Sequence, residues 1–276
     1  MAQVLSIQSN VVVGHVGNAA ARPALERLGH RVWTIDTAIL AHHPGHGAFR
    51  GEIRPPQALQ PLVEGVAAVG GFARLDAVLS GYLGEAGNAA VVANAVARAK
   101  AEAPGAVYVC DPVIGDFDAE GAGHSFVRQG VAEAIKSLLV PVADILLPNR
   151  FELGLLTGMP VDSTEAVAAA ARSLAVPVSV VTSVDCPDVP ADRIDVLIVS
   201  EARVDRASAP RLPRRFDGSG DLFGGLFLGA YLTSRDPLKA AEEALAWLLP
   251  ALIGTGSAKD LDLISLYWLS QTPARS

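Results

Sequence analysis

The sequence predicts a three-layer α/β/α fold with a central, mostly parallel sheet flanked by helices. Three observations carry this expectation: short β-rich runs alternate with longer Ala-rich stretches, polar residues cluster just after the β-rich runs, and the alternation stops near residue 191. A β-α-β-α order makes successive strands parallel and lays helices over the sheet. With 276 residues, 50% of them apolar and 18% charged, the chain has ample material for one large core.

Taken in order, the β-rich runs are residues 4–7, 31–37, 77–79, 107–110, 145–147 and 178–182. Between them, 86–101 and 163–174 carry the apolar spacing and the Glu, Lys and Arg content of amphipathic helices. The stretch 40–56 is rich in Gly, His and Pro, which suits an excursion from the sheet that covers a substrate as a small flap. Past residue 191, runs 193–200 and 202–208 read as an antiparallel hairpin, followed by a basic, Pro-containing loop at 211–215 and two helices, 221–234 and 237–253. No repeat or low-complexity linker interrupts the chain, so 1–276 is expected to form a single domain.

A net charge of −7, with 22 basic and 29 acidic residues interleaved, offers no basic stripe for a nucleic-acid backbone. The first residues lack the basic-then-apolar pattern of a signal peptide, and the apolar stretches are short and broken by Gly, so neither export nor membrane insertion is expected and a cytoplasmic location is. Cys110 and Cys186 have no metal or disulfide spacing, in keeping with a reducing compartment.

In parallel sheets ligands gather beyond the carboxyl ends of the strands. The residues there are Ser9 and Asn10; His42, His43 and His46; Ser80, Gly81 and Tyr82; Asp111; Asn149 and Glu152; and Thr182 and Ser183. The segment Gly218-Ser219-Gly220 stands directly before a long apolar helix, where free amides and the positive end of the helix dipole create an anion site. Asp221 follows in the first turn, and two readings of it stand. It complements the helix N-terminus, or it acts as a base whose pKa the dipole lowers and a neighbouring phosphate raises. A second glycine string, Gly254-Thr-Gly-Ser257, has no acid after it and reads as a helix C-terminus and turn. There is no Gly-x-x-x-x-Gly-Lys-Ser/Thr string, and no Gly-x-Gly-x-x-Gly follows the first strand, which argues against P-loop and dinucleotide-binding proteins. The flap histidines have no acid or cysteine close in sequence, so a solvated loop is expected rather than a zinc site.

Five segments occurring in order over nearly the whole chain resemble the ribokinase superfamily and, within it, the pyridoxal kinases: 6–18, 80–84, 110–115, 147–153 and 217–225. The resemblance implies a ribokinase-like fold and transfer of a phosphoryl group from ATP to the 5′-hydroxymethyl of pyridoxal. Asp221 would be the base, and the amides of Gly218, Ser219 and Gly220 would meet the developing charge. It implies a Mg²⁺ site at Asp111 and Glu152, with Asn149 alongside and Asp116 as a further contributor. Thr182 would bond a phosphate oxygen, and Arg211, Leu212, Pro213 and Arg214 would pass near the adenine. Ser9 would reach the pyridine edge, Tyr82 would stack on its face, and His43, Pro44 and Gly45 would close above it. K⁺ and a homodimer are also implied. The chain departs from the family pattern at Ser219, which replaces the usual Thr, at His46, which replaces the usual aromatic, and in the run 116–127. The nearest alternative is hydroxymethylpyrimidine kinase, which favours Cys where this chain has Asp221; sugar or nucleoside kinases and a non-catalytic vitamin- or nucleotide-binding protein are more distant.

Overall fold

The computed structural model describes residues 1–48, 50–118, 121–264 and 266; Phe49 of the expected flap and residues 119–120 of the run 116–127 lie outside them. Its strands are β1 (Gln3–Val11), β2 (Arg31–Leu40), β3 (Gly51–Ile53), β4 (Ala77–Ser80), β5 (Val107–Cys110), β6 (Gly115–Phe117), β7 (Gly123–Ser125), β8 (Ile145–Leu146), β9 (Val178–Val184), β10 (Arg193–Val199) and β11 (Val204–Pro210). Its helices are α1 (Asn18–Arg27), α2 (Pro56–Ala68), α3 (Asn88–Glu102), α4 (Val131–Ala134), α5 (Arg150–Thr157), α6 (Thr164–Ser173), α7 (Ser219–Ser234) and α8 (Pro237–Thr255).

Nine strands form one sheet in the order β11-β10-β9-β8-β5-β4-β1-β2-β3. The run from β2 to β9 is parallel, and the edge strands β3, β10 and β11 pair antiparallel. Adjacent residues of β1 face opposite layers and both are sealed. Val4 packs with Ala21, Leu222 and Phe227 on the α1/α7/α8 side, while Leu5 packs with Leu59, Val92 and Ile135 on the α2/α3/α4 side. That two-sided burial is why a parallel strand reads as a continuous apolar run. Hence the runs 77–79 and 107–110 were legible from composition alone, and β4 extends the first of them by Ser80.

The flap is shorter than 40–56. β2 carries on to Leu40, Gly51–Ile53 returns as an edge strand antiparallel to it, and Pro56 already opens α2, so the excursion is confined to 41–50. Proline at the first position of a helix loses no hydrogen bond, so the Pro that looked like loop chemistry is a helix start. Gly225 is where α7 meets α1 most tightly: a Cβ there would lie 2.7 Å from the Ala21 carbonyl oxygen. Gly224 faces the other way, with its Cβ position 3.6 Å from Asp111 Oδ2.

Candidate active site

Every residue to which the resemblance gave a role lines one cavity of about 1370 Å³ at the carboxyl ends of the strands, whereas Asn10, His42, His46, Ser80 and Gly81, also expected there by position, lie outside its lining. One end is bounded by Ser9, Tyr82 and the flap residues His43, Pro44 and Gly45, and the other by Thr182 and the loop from Arg211 to Arg214. Asp111, Glu152 and Asp221 also line it, from the ends of β5 and the first turns of α5 and α7.

The N-terminus of α7 follows directly from its sequence. Gly218 has φ 84, a left-handed conformation that glycine adopts without strain, and a Cβ there would overlap the carbonyl oxygen of His15. No side chain caps the helix, but the Ser219 amide, expected to face an anion, donates to Phe216 O at 3.1 Å across the turn, which leaves the Gly220 amide next to it for an anion. Asp221 is the third helical residue. Burial pushes its carboxyl above the ordinary range, while the Gly17 amide hydrogen bond and the charge of His43 pull the other way. Desolvation by the fold thus acts in the direction expected of a neighbouring phosphate and against the lowering expected of the helix dipole.

Asn149 and Glu152 form a capping box on α5. Asn149 Oδ1 accepts from the Glu152 amide at 2.9 Å, and Glu152 Oε2 accepts from the Asn149 amide at 2.9 Å. The Asn-x-x-Glu spacing is a capping signal that was readable in the sequence. Glu152 Oε1 takes the Ile114 amide at 2.9 Å and the Gly115 amide at 3.4 Å, and Asn149 Nδ2 donates to Gly115 O at 2.8 Å. Burial pushes Glu152 up to about 8 against the opposing pull of those three amides. Asp111 is pushed well above the carboxylate range, first by burial and then by the charges of Glu152 and Asp221. Its carboxylate has neither a hydrogen-bond donor nor a basic partner among the described residues.

Thr182 continues the sheet past β8: its amide donates to Pro148 O at 2.9 Å, and it bridges to Asn149. Ser183, next to it, holds φ 56, a strained setting for a non-glycine residue beside a cavity wall. Asp185 joins two arginines, accepting from Arg150 Nη2 at 2.8 Å and from Arg211 Nη2 at 3.0 Å, which ties the 211–215 loop to the start of α5. Asp116 is ion-paired to Arg215, so its carboxylate closes the β6–β7 hairpin onto the same loop.

The flap histidines do have acid partners, brought from far along the chain. His43 Nδ1 lies 2.9 Å from Asp217 Oδ2, and His46 Nε2 lies 2.7 Å from Asp260 Oδ1. Contact with His43 holds Asp217 below the carboxylate range. Sequence reasoning missed Gly17, Asp185, Asp217 and Asp260, because each acts on a partner distant in sequence. Among the described residues no three His, Cys, Asp or Glu side chains converge tightly enough to chelate a metal by themselves. No helix among them is long and apolar enough to cross a membrane.

A mostly parallel sheet of this order, with a glycine-led helix start and an adjacent half-buried acid at its rim, is that of a ribokinase-like small-molecule kinase. Residues 52–260 match the family model described as phosphomethylpyrimidine kinase. The chain is 38% identical over 265 residues to the pyridoxal kinase PdxY of Corynebacterium diphtheriae, covering 95% of this chain and 92% of that protein. It is 40% identical over 258 residues to the PdxY of Deinococcus radiodurans, covering 90% and 84%. The solved pyridoxal kinase of Leishmania donovani, in complex with ADP and pyridoxamine, superposes with a TM-score of 0.87 at 27% identity, over 99% of this chain and 98% of that one. The chain belongs to the pyridoxal kinase family.

Proposed function

We propose that this chain transfers the γ-phosphoryl group of ATP to the 5′-hydroxymethyl oxygen of pyridoxal, yielding pyridoxal 5′-phosphate. The observation that carries this reading is Asp221: a half-buried carboxylate with raised proton affinity, one residue after a glycine turn at the start of α7, in a cavity with room for both substrates. The substrate hydroxyl gives its proton to Asp221 as its oxygen attacks the phosphorus in line. The amides of Gly218 and Gly220 meet the charge that builds on the transferred group, and that of Ser219 joins them on releasing Phe216 O, to which it donates at 3.1 Å. Tyr82 offers a half-buried ring to the face of the pyridine, Ser9 a hydroxyl to its edge, and the flap from His43 to Gly45 excludes water. Thr182 and the Arg211 to Arg214 loop lie on the nucleotide side. The domain, 1–276, acts as one unit.

The acids fit a hard divalent cation. Asp111 is a half-buried carboxylate with no counter-charge among the described residues, and carboxylate, water and phosphate oxygens are what Mg²⁺ prefers. Asp111 would hold Mg²⁺ directly. Glu152 accepts amides on both oxygens and would reach the ion through water, with Asn149 beside it; Asp116 would contribute only after releasing Arg215. When bound, Mg²⁺ supplies charge neutralisation at the phosphates. A cytoplasmic homodimer is part of the same reading, supported by the exposed Val12 and Val13 next to the site, and light scattering on the purified chain tests it.

The test is a parallel assay with ATP, Mg²⁺ and K⁺ on pyridoxal, pyridoxine, pyridoxamine and hydroxymethylpyrimidine. Pyridoxal should be phosphorylated, with product followed by its absorbance. Turnover of hydroxymethylpyrimidine alone would favour the second reading, which the family model's description supports. Turnover of none of the four would overturn both.

A further inference from the structure

The glycine string 254–257 is the helix C-terminus and turn that its sequence suggests: α8 ends at Thr255 and Gly256 turns the chain at φ 57. The residues that follow make contacts beyond that turn. Arg214 Nη2 donates to Gly256 O at 2.7 Å and to Ala258 O at 2.6 Å. Lys259 Nζ then donates to Gly45 O at 2.5 Å, and Asp260 Oδ1 pairs with His46 Nε2 at 2.7 Å. Leu261 O lies 2.6 Å from His15 Nδ1, in the loop whose carbonyl packs on Gly218. One short segment therefore touches the nucleotide-side loop, the flap and the loop behind the anion site.

We propose that Lys259 and Asp260 are positioning residues that hold the flap over the acceptor substrate, and that residues 256–260 link this closure to the nucleotide-side loop through Arg214. The inference rests on the proposed kinase reading. Its physical basis is that the flap turn, Pro44–His46, buries none of its side chains. With no apolar anchor, its position is set by polar contacts. Among the described residues, and apart from His43 with Asp217, the polar contacts that tie this turn to the rest of the chain are the two made by Lys259 and Asp260. Neither residue touches Asp221, so loosening the flap should weaken acceptor binding far more than the chemical step.

The experiment compares the full chain with Lys259→Ala, Asp260→Ala and the double variant, using acceptor kinetics at saturating ATP and hydrogen exchange of the flap amides without substrate. The double variant should raise the acceptor KM by roughly three- to tenfold, as expected for losing two partly exposed polar contacts, with kcat within about twofold. Flap amides should exchange faster, and Lys259→Arg with Asp260→Glu should restore much of the KM. Unchanged flap exchange, unchanged KM, or a loss confined to kcat would each overturn the proposal. If an alanine variant fails to fold, Lys259→Gln and Asp260→Asn replace it. A wild type inactive on all four acceptors sinks the kinase reading alone, since the exchange measurement needs no substrate and still decides whether these residues anchor the flap.

Discussion

Two glycine strings, 217–220 and 254–257, look alike in sequence and behave as opposites in the structure. Each places a glycine at positive φ, Gly218 at 84 and Gly256 at 57, and each borders a long apolar helix. The first begins α7 and turns helix-start amides such as that of Gly220 toward the cavity end of the helix, the polarity that suits an anion. The second ends α8 and leaves carbonyls free, so it attracts the guanidinium of Arg214. The direction of the adjoining helix, rather than the glycines, decides which charge a turn can hold.

The largest expected effect tests the first string. Asp221→Asn keeps the shape of the helix start and removes the proton acceptor, so kcat should fall by about a thousandfold with ATP affinity little changed. Near wild-type turnover would return Asp221 to the role of helix-start complement. Next comes Gly218→Ala, whose Cβ would overlap the His15 carbonyl oxygen as well as strain the backbone; it should cost at least ~2 kcal/mol in denaturant unfolding and most of the activity. Gly256→Ala sharpens the contrast, because a Cβ there meets nothing within 4 Å. Only backbone strain remains, roughly 1–3 kcal/mol because ψ −126 lies outside the left-handed helical region, and activity should persist. Equal losses of activity for the two alanines would break the comparison.

The smallest effect concerns the far half of α7. His30 is buried; its Nδ1 accepts from the Ala2 amide at 3.2 Å and its Nε2 lies 2.9 Å from Gly229 O, an arrangement that fits the neutral ring protonated at Nε2. Burial lowers its pKa below the ordinary 6.5, so the unfolded chain binds this proton more readily. The stability it contributes is complete above the unfolded value and declines as pH falls below it toward the folded value. Between pH 7 and 5 the melting temperature of the wild type should drop more than that of His30→Gln. Parallel slopes would show that the ring is not held neutral.

Much of the fold was legible because buried parallel strands announce themselves as short apolar runs, and Asp111, Asn149 and Thr182 then fall at strand ends by position alone. α1 was obscured by Pro23 within it and the absence of a capping side chain, and α2 by its Pro-Pro start. The edge strand β3 and the hairpin of β6 and β7 are three residues each, too short for periodicity to register. In the site, residue identity was readable wherever one segment supplies the chemistry. What could not be read was pairing across the chain: Gly17 on Asp221, Asp217 on His43, Asp185 between Arg150 and Arg211. The desolvation of Asp221 was unreadable for the same reason, since it is supplied by the whole surrounding fold, whereas the helix dipole weighed in the sequence is local.

The close seating of α7 on α1 has a consequence for how the protein comes into being. The two helices are separated by some 190 residues of sequence, from 27 to 219, and the Gly225 contact with Ala21 forms only when both exist. On a ribosome, the strand ends that carry Ser9, Asp111 and Thr182 emerge long before the helix bearing Asp221. A truncated or stalled chain therefore holds the walls of the cavity without its acid, and also exposes the apolar face of α1 that α7 would cover. Nascent chains of this protein should need shielding until the last quarter of the sequence is made, and the chemistry switches on with the same packing event that completes the core.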